Sequence, residues 1–465
     1  MVRKFTLLSV AILFSLTLIA CQTLTTQSQT TNISSSDTVI STTVSSSETS
    51  SLSTTTLDDG TFSLAAVTAD FNLLISYLDL NPKVFTDWDE TLAIIARQRA
   101  LLKDGMTILE FYRVVTPIVV SMKCGHTGIN LPSSFFDDQI IDESSNRVEV
   151  VYMENKIRVI SSDDPDIGIG DEFLAINGIT TVDLIETMMG FIGSDGDNTT
   201  LKTAILRMFF WYYYDLFIRN DSDLSIDYYD SDLHTQRNKT INQAMFLMDD
   251  WVEPVPYQAT YTDDYAILTL SSFYPFGVYT LNSYFDFYES FFTQVSNLGI
   301  EKIILDIRNN WGGDPRVTSR LFSYLAKSEQ PYFRADSPDY YTGLKNDIAF
   351  SDPHFDGIVV TLIGGTCFSS CGHFAALLDY QNVGVFVGEE TGGSFICSDS
   401  STSMRLPRTK LEFRTSTQSW AVATTGLTLG RGIMPDHPVQ QTFDDYLSGI
   451  DTVLEYAIAL LINIE

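Results

Sequence analysis

Apolar and polar positions along the chain divide its body into three differently patterned segments. From Leu57 to about Pro132 the apolar residues recur at helical spacing. Phe71, Leu74, Ile75 and Leu78 share one face, and Leu92, Ile94 and Ile95 share the face of a second helix. Thr107 and Glu110 form a capping-box pattern that opens a third helix through Phe111, Val114, Val115 and Ile118, with a kink expected at Pro117. That helix leads into Met122-Lys123-Cys124-Gly125-His126-Thr127.

The second segment, roughly Val148 to Pro254, alternates as strands do over Val148–Met153 and Ile157–Ile160. A further strand closes on the Asn177-Gly178 turn, and a helix follows from Val182. The aromatic run Phe209–Tyr214 is far too short to span a bilayer and reads as a core helix. From about Tyr257 onward strands and helices alternate. Strands are predicted over Tyr265–Leu270, Lys302–Ile307, Ile358–Ile363 and Val383–Val387, helices over Tyr284–Leu298, Phe374–Leu378 and Asp451–Ile462. This order predicts an α/β protein with a mostly parallel sheet.

The N-terminus differs from all of this. Arg3 and Lys4 precede an apolar stretch from Phe5 to Ile19, as in a secretory signal. Leu18-Ile19-Ala20-Cys21 resembles a bacterial lipobox, so residues 1–20 are expected to be removed and Cys21 lipidated, anchoring an extracytoplasmic protein to the cell membrane. About two-thirds of residues 22–56 are Ser or Thr, too few apolar groups to offset the entropy of ordering, so 21–56 is expected to be a tether.

The 465 residues carry a net charge of -31, from 28 basic and 59 acidic side chains. That balance argues against nucleic acid as a partner, which needs a positive surface. Five cysteines are too few for a disulfide scaffold, and packed thiols are the expectation for Cys124, Cys367, Cys371 and Cys397. No Cys-x-x-Cys spacing supports a metal site.

Four stretches could carry chemistry. Asp306-Ile-Arg-Asn-Asn-Trp-Gly-Gly313 ends a buried strand in a polar turn where adjacent glycines let backbone N–H groups approach a ligand. Gly364-Gly-Thr-Cys-Phe-Ser-Ser-Cys-Gly-His373 places serines between a strand and a helix start, a setting for a nucleophile or simply for an N-cap. Gly388-Glu-Glu-Thr-Gly-Gly-Ser394 is another strand and glycine turn, and Gly430-Arg-Gly-Ile-Met-Pro-Asp-His437 leads into an edge segment.

In order and spacing these four resemble the tail-specific proteases, or C-terminal processing peptidases, which include the tricorn protease core. The resemblance covers most of the chain after Leu57. It implies a helical N-terminal segment (57–145), a reduced PDZ-like module (146–255) around Gly170-Asp-Glu and Ile176-Asn-Gly178, and a crotonase-like ββα catalytic core (256–465). Ser369 takes the nucleophile's place, with Ser370 as competitor. The Ser370 N–H and that of Gly312 or Gly313 would hold the oxyanion. Many members use a lysine as base in the third turn, but Ser394 stands there. Tricorn-like members use a histidine, and Cys124-Gly-His-Thr127 matches that element, so His126 is the expected base, ahead of His373 and His437. The family's orienting glutamate is replaced by Leu429-Gly430-Arg431, which leaves Asp436, Glu389 and Glu390 as candidates. The resemblance implies a peptide or protein substrate and no cofactor or metal. The alternative is a catalytically silent binding module of the same fold, taking peptides or apolar ligands.

Overall fold

The computed structural model describes residues 60–137, 145–246 and 254–463. The expected signal, Cys21 and the Ser/Thr-rich stretch lie outside the described residues.

Three helices open the chain, Leu64–Leu78, Trp88–Arg99 and Ile108–Val120. Each begins at a residue whose side chain accepts a first-turn N–H (Ser63, Asp87 and Thr107), and Thr107 with Glu110 completes the reciprocal capping box. The third helix keeps helical dihedrals through Pro117, so the expected kink does not interrupt it. Burial of Phe111, Val115 and Ile118 along one face offsets the hydrogen bond that proline removes. Strand β1 (Gly128–Asn130) follows four residues after Cys124.

An antiparallel sheet comes next: β2 (Val148–Met153), β3 (Lys156–Ser162) and β4 (Glu172–Ile176), then β5 (Ile179–Thr180) turned back onto β4, and β6 (Leu224–Asp230) and β7 (Thr235–Ile241). Asn177 and Gly178, at φ 51° and 75°, supply the two left-handed positions of the tight β4–β5 turn. Helix Thr200–Phe217 packs on this sheet, and Trp211 Nε1 donates to the Val148 carbonyl at 2.7 Å. Its aromatic run is buried, as the pattern predicts, although the backbone leaves helical geometry at Phe209. The opening helices and this sheet share one apolar core.

The third segment builds a six-stranded sheet from β8 (Tyr257–Tyr261), β9 (Ala266–Leu270), β10 (Lys302–Asp306), β11 (Ile358–Ile363), β12 (Val385–Gly388) and β17 (His437–Pro438), in the order β17-β12-β11-β10-β9-β8. Every pairing is parallel except β8 with β9. Helices cover both faces, Thr452–Asn463 on one and Leu281–Leu298, Pro315–Leu325 and Ser370–Tyr380 on the other. This is why β10 and β11 read as continuous apolar runs rather than alternating ones. Two ladders complete the molecule, β13 (Ile396–Asp399) with β16 (Gln418–Ala421) and β14 (Thr402–Arg405) with β15 (Glu412–Thr415). The whole is a mixed α/β fold with several sheets.

Two features position a site. The register pairs Asp306 with Leu362 and Ile363 with Gly388, so the glycine turns after β10, β11 and β12 emerge together at the carboxyl ends of parallel strands. A crevice at that edge is where open α/β sheets hold ligands. In addition β15 pairs antiparallel with β1, setting Gly128 opposite Arg414. That pairing brings the turn carrying His126 onto the third segment.

Candidate active site

Ser369 stands between β11 and helix Ser370–Tyr380 with φ 55° and ψ -127°, a left-handed conformation costly for a residue with a side chain, by about 1–3 kcal/mol. Neighbouring bonds hold it there. The Phe368 N–H donates to the Asn310 carbonyl at 3.1 Å, the Cys371 N–H to Phe368 O at 3.0 Å, and the Gly393 N–H to Cys367 O at 2.8 Å. Cys367 and Cys371 are joined as a disulfide across this turn, which differs from the packed-thiol expectation; Cys124 and Cys397 are free and buried. Although Ser369 occupies the N-cap position, its side chain makes no cap hydrogen bond. Its Oγ lies instead 3.0 Å from His126 Nε2. The Ser370 hydroxyl is buried and has no partner among the described residues.

His126 sits on the short turn between the third helix and β1. The turn is fixed from several sides: the Gly125 N–H donates to Asp195 Oδ1 at 2.8 Å, and Thr127 Oγ1 accepts from Asn81 Nδ2 at 2.9 Å. The imidazole stacks on Phe368, ring centroids 4.7 Å apart. Gly125 is required here, because a Cβ would collide with that phenyl ring. Burial pushes the His126 pKa below its ordinary value; Asp399 pulls it up and Arg414 pushes it down.

The glycine turn after β10 lies against the turn that carries Ser369. A Cβ on Gly312 would fall within 2.6–2.9 Å of Phe368 O, Ser369 Cβ and the Ser370 nitrogen. Asn310, fully buried, stabilises the turn by donating to Leu270 O at 3.0 Å and accepting the Gly312 N–H at 2.8 Å. The Gly312 amide is thereby engaged. The N–H groups of Gly313 and Ser370 donate to no backbone carbonyl among the described residues, and that of Ser370 opens a helix whose dipole favours negative charge.

The other sequence candidates are placed elsewhere. His373 is buried beside Tyr332 and Phe333, and burial lowers its pKa to about 3. His437 Nδ1 meets Tyr456 Oη at 3.0 Å at the far edge of the sheet. Glu389 pairs with Arg207, Glu390 pairs with Arg431 and accepts the Gly432 N–H, and Asp436 accepts the Phe386 N–H. None of the three carboxylates bonds His126. Two acids that the motifs did not point to lie closer. Asp195 grips the Gly125 amide, and Asp399, bound to Arg414 at 2.9 Å, lines one cavity with His126 and Ser369. The available signal was that Asp399 is the sole acid between Glu390 and Glu412.

That cavity measures about 250 Å³. Ser369, His126 and Gly313 form its polar end; Tyr112, Val119, Phe191, Ile205 and Tyr213 form its apolar walls. A serine hydroxyl within hydrogen-bond reach of an imidazole, two N–H groups with no backbone acceptor among the described residues, and a largely apolar recess lie together here.

Residues 264–439 match peptidase family S41. Among solved structures, mature CPAF is similar over 86% of this chain and 98% of its own, with 14% identity and a TM-score of 0.61. Mature CPAF complexed with lactacystin is similar over 85% and 97%, with 14% identity and a TM-score of 0.59. The photosystem II D1 C-terminal processing protease is similar over 86% and 96%, with 14% identity and a TM-score of 0.39. No curated protein sequence matches. The chain carries a peptidase family S41 domain and is a serine-type peptidase. Ser369 falls inside the matched span and His126 outside it.

Proposed function

We propose that this protein is an extracytoplasmic endopeptidase, tethered to the membrane through Cys21, in which Ser369 is the nucleophile and His126 the general base. The reading rests on one observation, the 3.0 Å approach of His126 Nε2 to Ser369 Oγ at a cavity with a largely apolar lining. Ser369 Oγ attacks the scissile carbonyl carbon while its proton passes to Nε2. The developing oxyanion accepts from the Ser370 and Gly313 N–H groups, each such donor worth roughly 3–4 kcal/mol. Collapse breaks the C–N bond, and the imidazolium returns its proton to the leaving amine. Water then attacks the ester, gives its proton to Nε2, and releases a carboxylate product with Ser369 restored.

In this reading the apolar walls take a hydrophobic side chain beside the scissile bond. The third segment corresponds to a crotonase-like core, and the β2–β7 sheet to a reduced PDZ-like module that engages the extended substrate. Labelling of the purified protein by a fluorophosphonate probe tests the assignment. The parent is expected to react, Ser369→Ala to lose the reaction, and His126→Ala to slow it at least ~100-fold. Equal labelling of all three would remove Ser369 from the mechanism. A folded parent that does not react would favour the binding-module alternative.

A further inference from the structure

If Nε2 of His126 accepts the serine proton, the neutral ring must carry its own proton on Nδ1. Nδ1 is buried and has no hydrogen-bond partner among the described residues. A buried N–H left unmatched is costly, and it leaves the ring free to adopt the wrong tautomer. The groups facing this histidine are Asp399 and Arg414 from the β13–β15 region, Asp195 from the loop before helix Thr200–Phe217, His373, and the thiols Cys124 and Cys397. Each carboxylate has one oxygen engaged, but Asp195 does not line the cavity that holds the imidazole, and Asp399 is the carboxylate whose charge acts on His126.

Asp399 is placed differently. It ends β13, whose Ser398 carbonyl accepts from the Cys124 thiol at 3.8 Å, two residues before His126. Its Oδ1 is held by Arg414 Nη2 at 2.9 Å, and Arg414 stands opposite Gly128, two residues after His126. The chain on both sides of the histidine is therefore fastened to the chain that carries Asp399. The carboxylate opens into the same cavity as the imidazole. Burial raises the Asp399 pKa, but attraction to His126 in its protonated form, the Arg414 charge and hydrogen bonds from Ser401 and Arg414 outweigh it and hold it below the ordinary carboxylate value.

We infer that Asp399, held by Arg414, is the positioning acid of this site: its charge favours the Nδ1–H tautomer of His126 in the free protein, and it accepts a hydrogen bond from that N–H as substrate fills the cavity. This assignment rests on the Ser369–His126 reading and supplies the acid that position 429–431 lacks. Apo geometries of such contacts are commonly long and tighten on binding. Arg414 offsets the carboxylate's desolvation and fixes its direction, which Ser401 Oγ also does by donating to Oδ1 at 3.1 Å.

The test uses the full chain and two readouts, fluorophosphonate labelling against pH and nitrogen-15 NMR of the five histidines, with His126 identified by His126→Ala. In Asp399→Asn the labelling rate at pH 7.5 is expected to fall about 100-fold, less than the ~10⁴ lost when an acid already bonded to its histidine is neutralised. The acid limb should move down by about one pH unit, because the imidazolium loses its counter-charge. His126 should lose its Nδ1–H tautomer preference, and Asp399→Glu should restore part of both. Glu389→Gln and Asp436→Asn should leave both readouts unchanged. A labelling rate within threefold of the parent, with tautomer and acid limb unmoved, overturns the assignment. If Asp399→Asn fails to fold because Arg414 is left uncompensated, Asp399→Asn combined with Arg414→Met removes both charges and gives the same readouts. Should parent and Ser369→Ala label alike, the nucleophile reading fails, and the His126 tautomer alone then decides the Asp399 contact.

Discussion

His126 is buried, and burial dominates its titration. Desolvation disfavours the imidazolium, and the opposing pulls of Asp399 and Arg414 leave its pKa below the ordinary value of 6.5. A base must be neutral to accept a proton, so the acid limb of kcat/KM, or of the labelling rate, is expected below pH 6.5; a limb above pH 7 would contradict this. Asp195 shows the opposite effect. Burial, with a further push from Asp399, raises its pKa to about 7, against the lowering by the Gly125 N–H. A carboxyl raised in the folded state binds its proton more tightly there than when unfolded. Its cost to stability is absent below about pH 4 and grows as pH rises through about 7. Asp195→Asn keeps an oxygen for Gly125 and cannot ionise. Its melting temperature relative to the parent is therefore expected to be higher at pH 8 than at pH 5. At this scale Ser369 and His126 were legible because each sits in a short motif. Asp195 and Asp399 were not, because their partners lie far away in sequence.

Among elements, helix Ser370–Tyr380 shows how tightly the nucleophile turn is enclosed. A Cβ on Gly372 would run into the backbone of Gly393 and Ser394. The third glycine turn thus packs against the turn that carries Ser369, and Ser394 is buried within that contact. Gly372→Ala is expected to destabilise by at least ~2 kcal/mol, as overpacking against backbone does, with a matching fall in denaturation midpoint. Gly312→Ala should be more damaging to labelling than to stability, because its methyl group would press on Ser369 Cβ and the Ser370 nitrogen. Helices and strands were readable from periodicity. The Pro117 helix departed from its local signal because packing of one apolar face outweighed a missing hydrogen bond.

Across the whole molecule, the pair at the centre of the site spans 243 residues. Ser369 comes from the segment matching family S41 and His126 from the helical lead-in, so in the proposed mechanism activity depends on how these parts are held together. Asp70 fastens them. Fully buried, it accepts from the Thr409 N–H at 2.7 Å, from Thr409 Oγ1 at 2.9 Å and from the Arg408 N–H at 3.1 Å. Asp70→Ala strands those donors and is expected to cost about 3 kcal/mol. It should also slow labelling although residue 70 makes no contact with Ser369. Unchanged melting would show that this tie contributes nothing.

By itself the sequence determined the main elements, the mostly parallel sheet, the four glycine-bearing turns, and the separate short motifs that carry Ser369 and His126. Each is specified by local pattern: apolar spacing, a cap, or a glycine where a side chain cannot fit. Only the tertiary structure decided what those turns meet. It placed Asp399 and Arg414 beside His126, took Glu389, Glu390 and Asp436 into other contacts, and engaged the Gly312 amide while leaving that of Gly313 free of a backbone acceptor. The physical reason is that hydrogen bonds and charge interactions act over a few ångströms. Which residues come within that reach is set by strand register and helix packing, not by proximity along the chain.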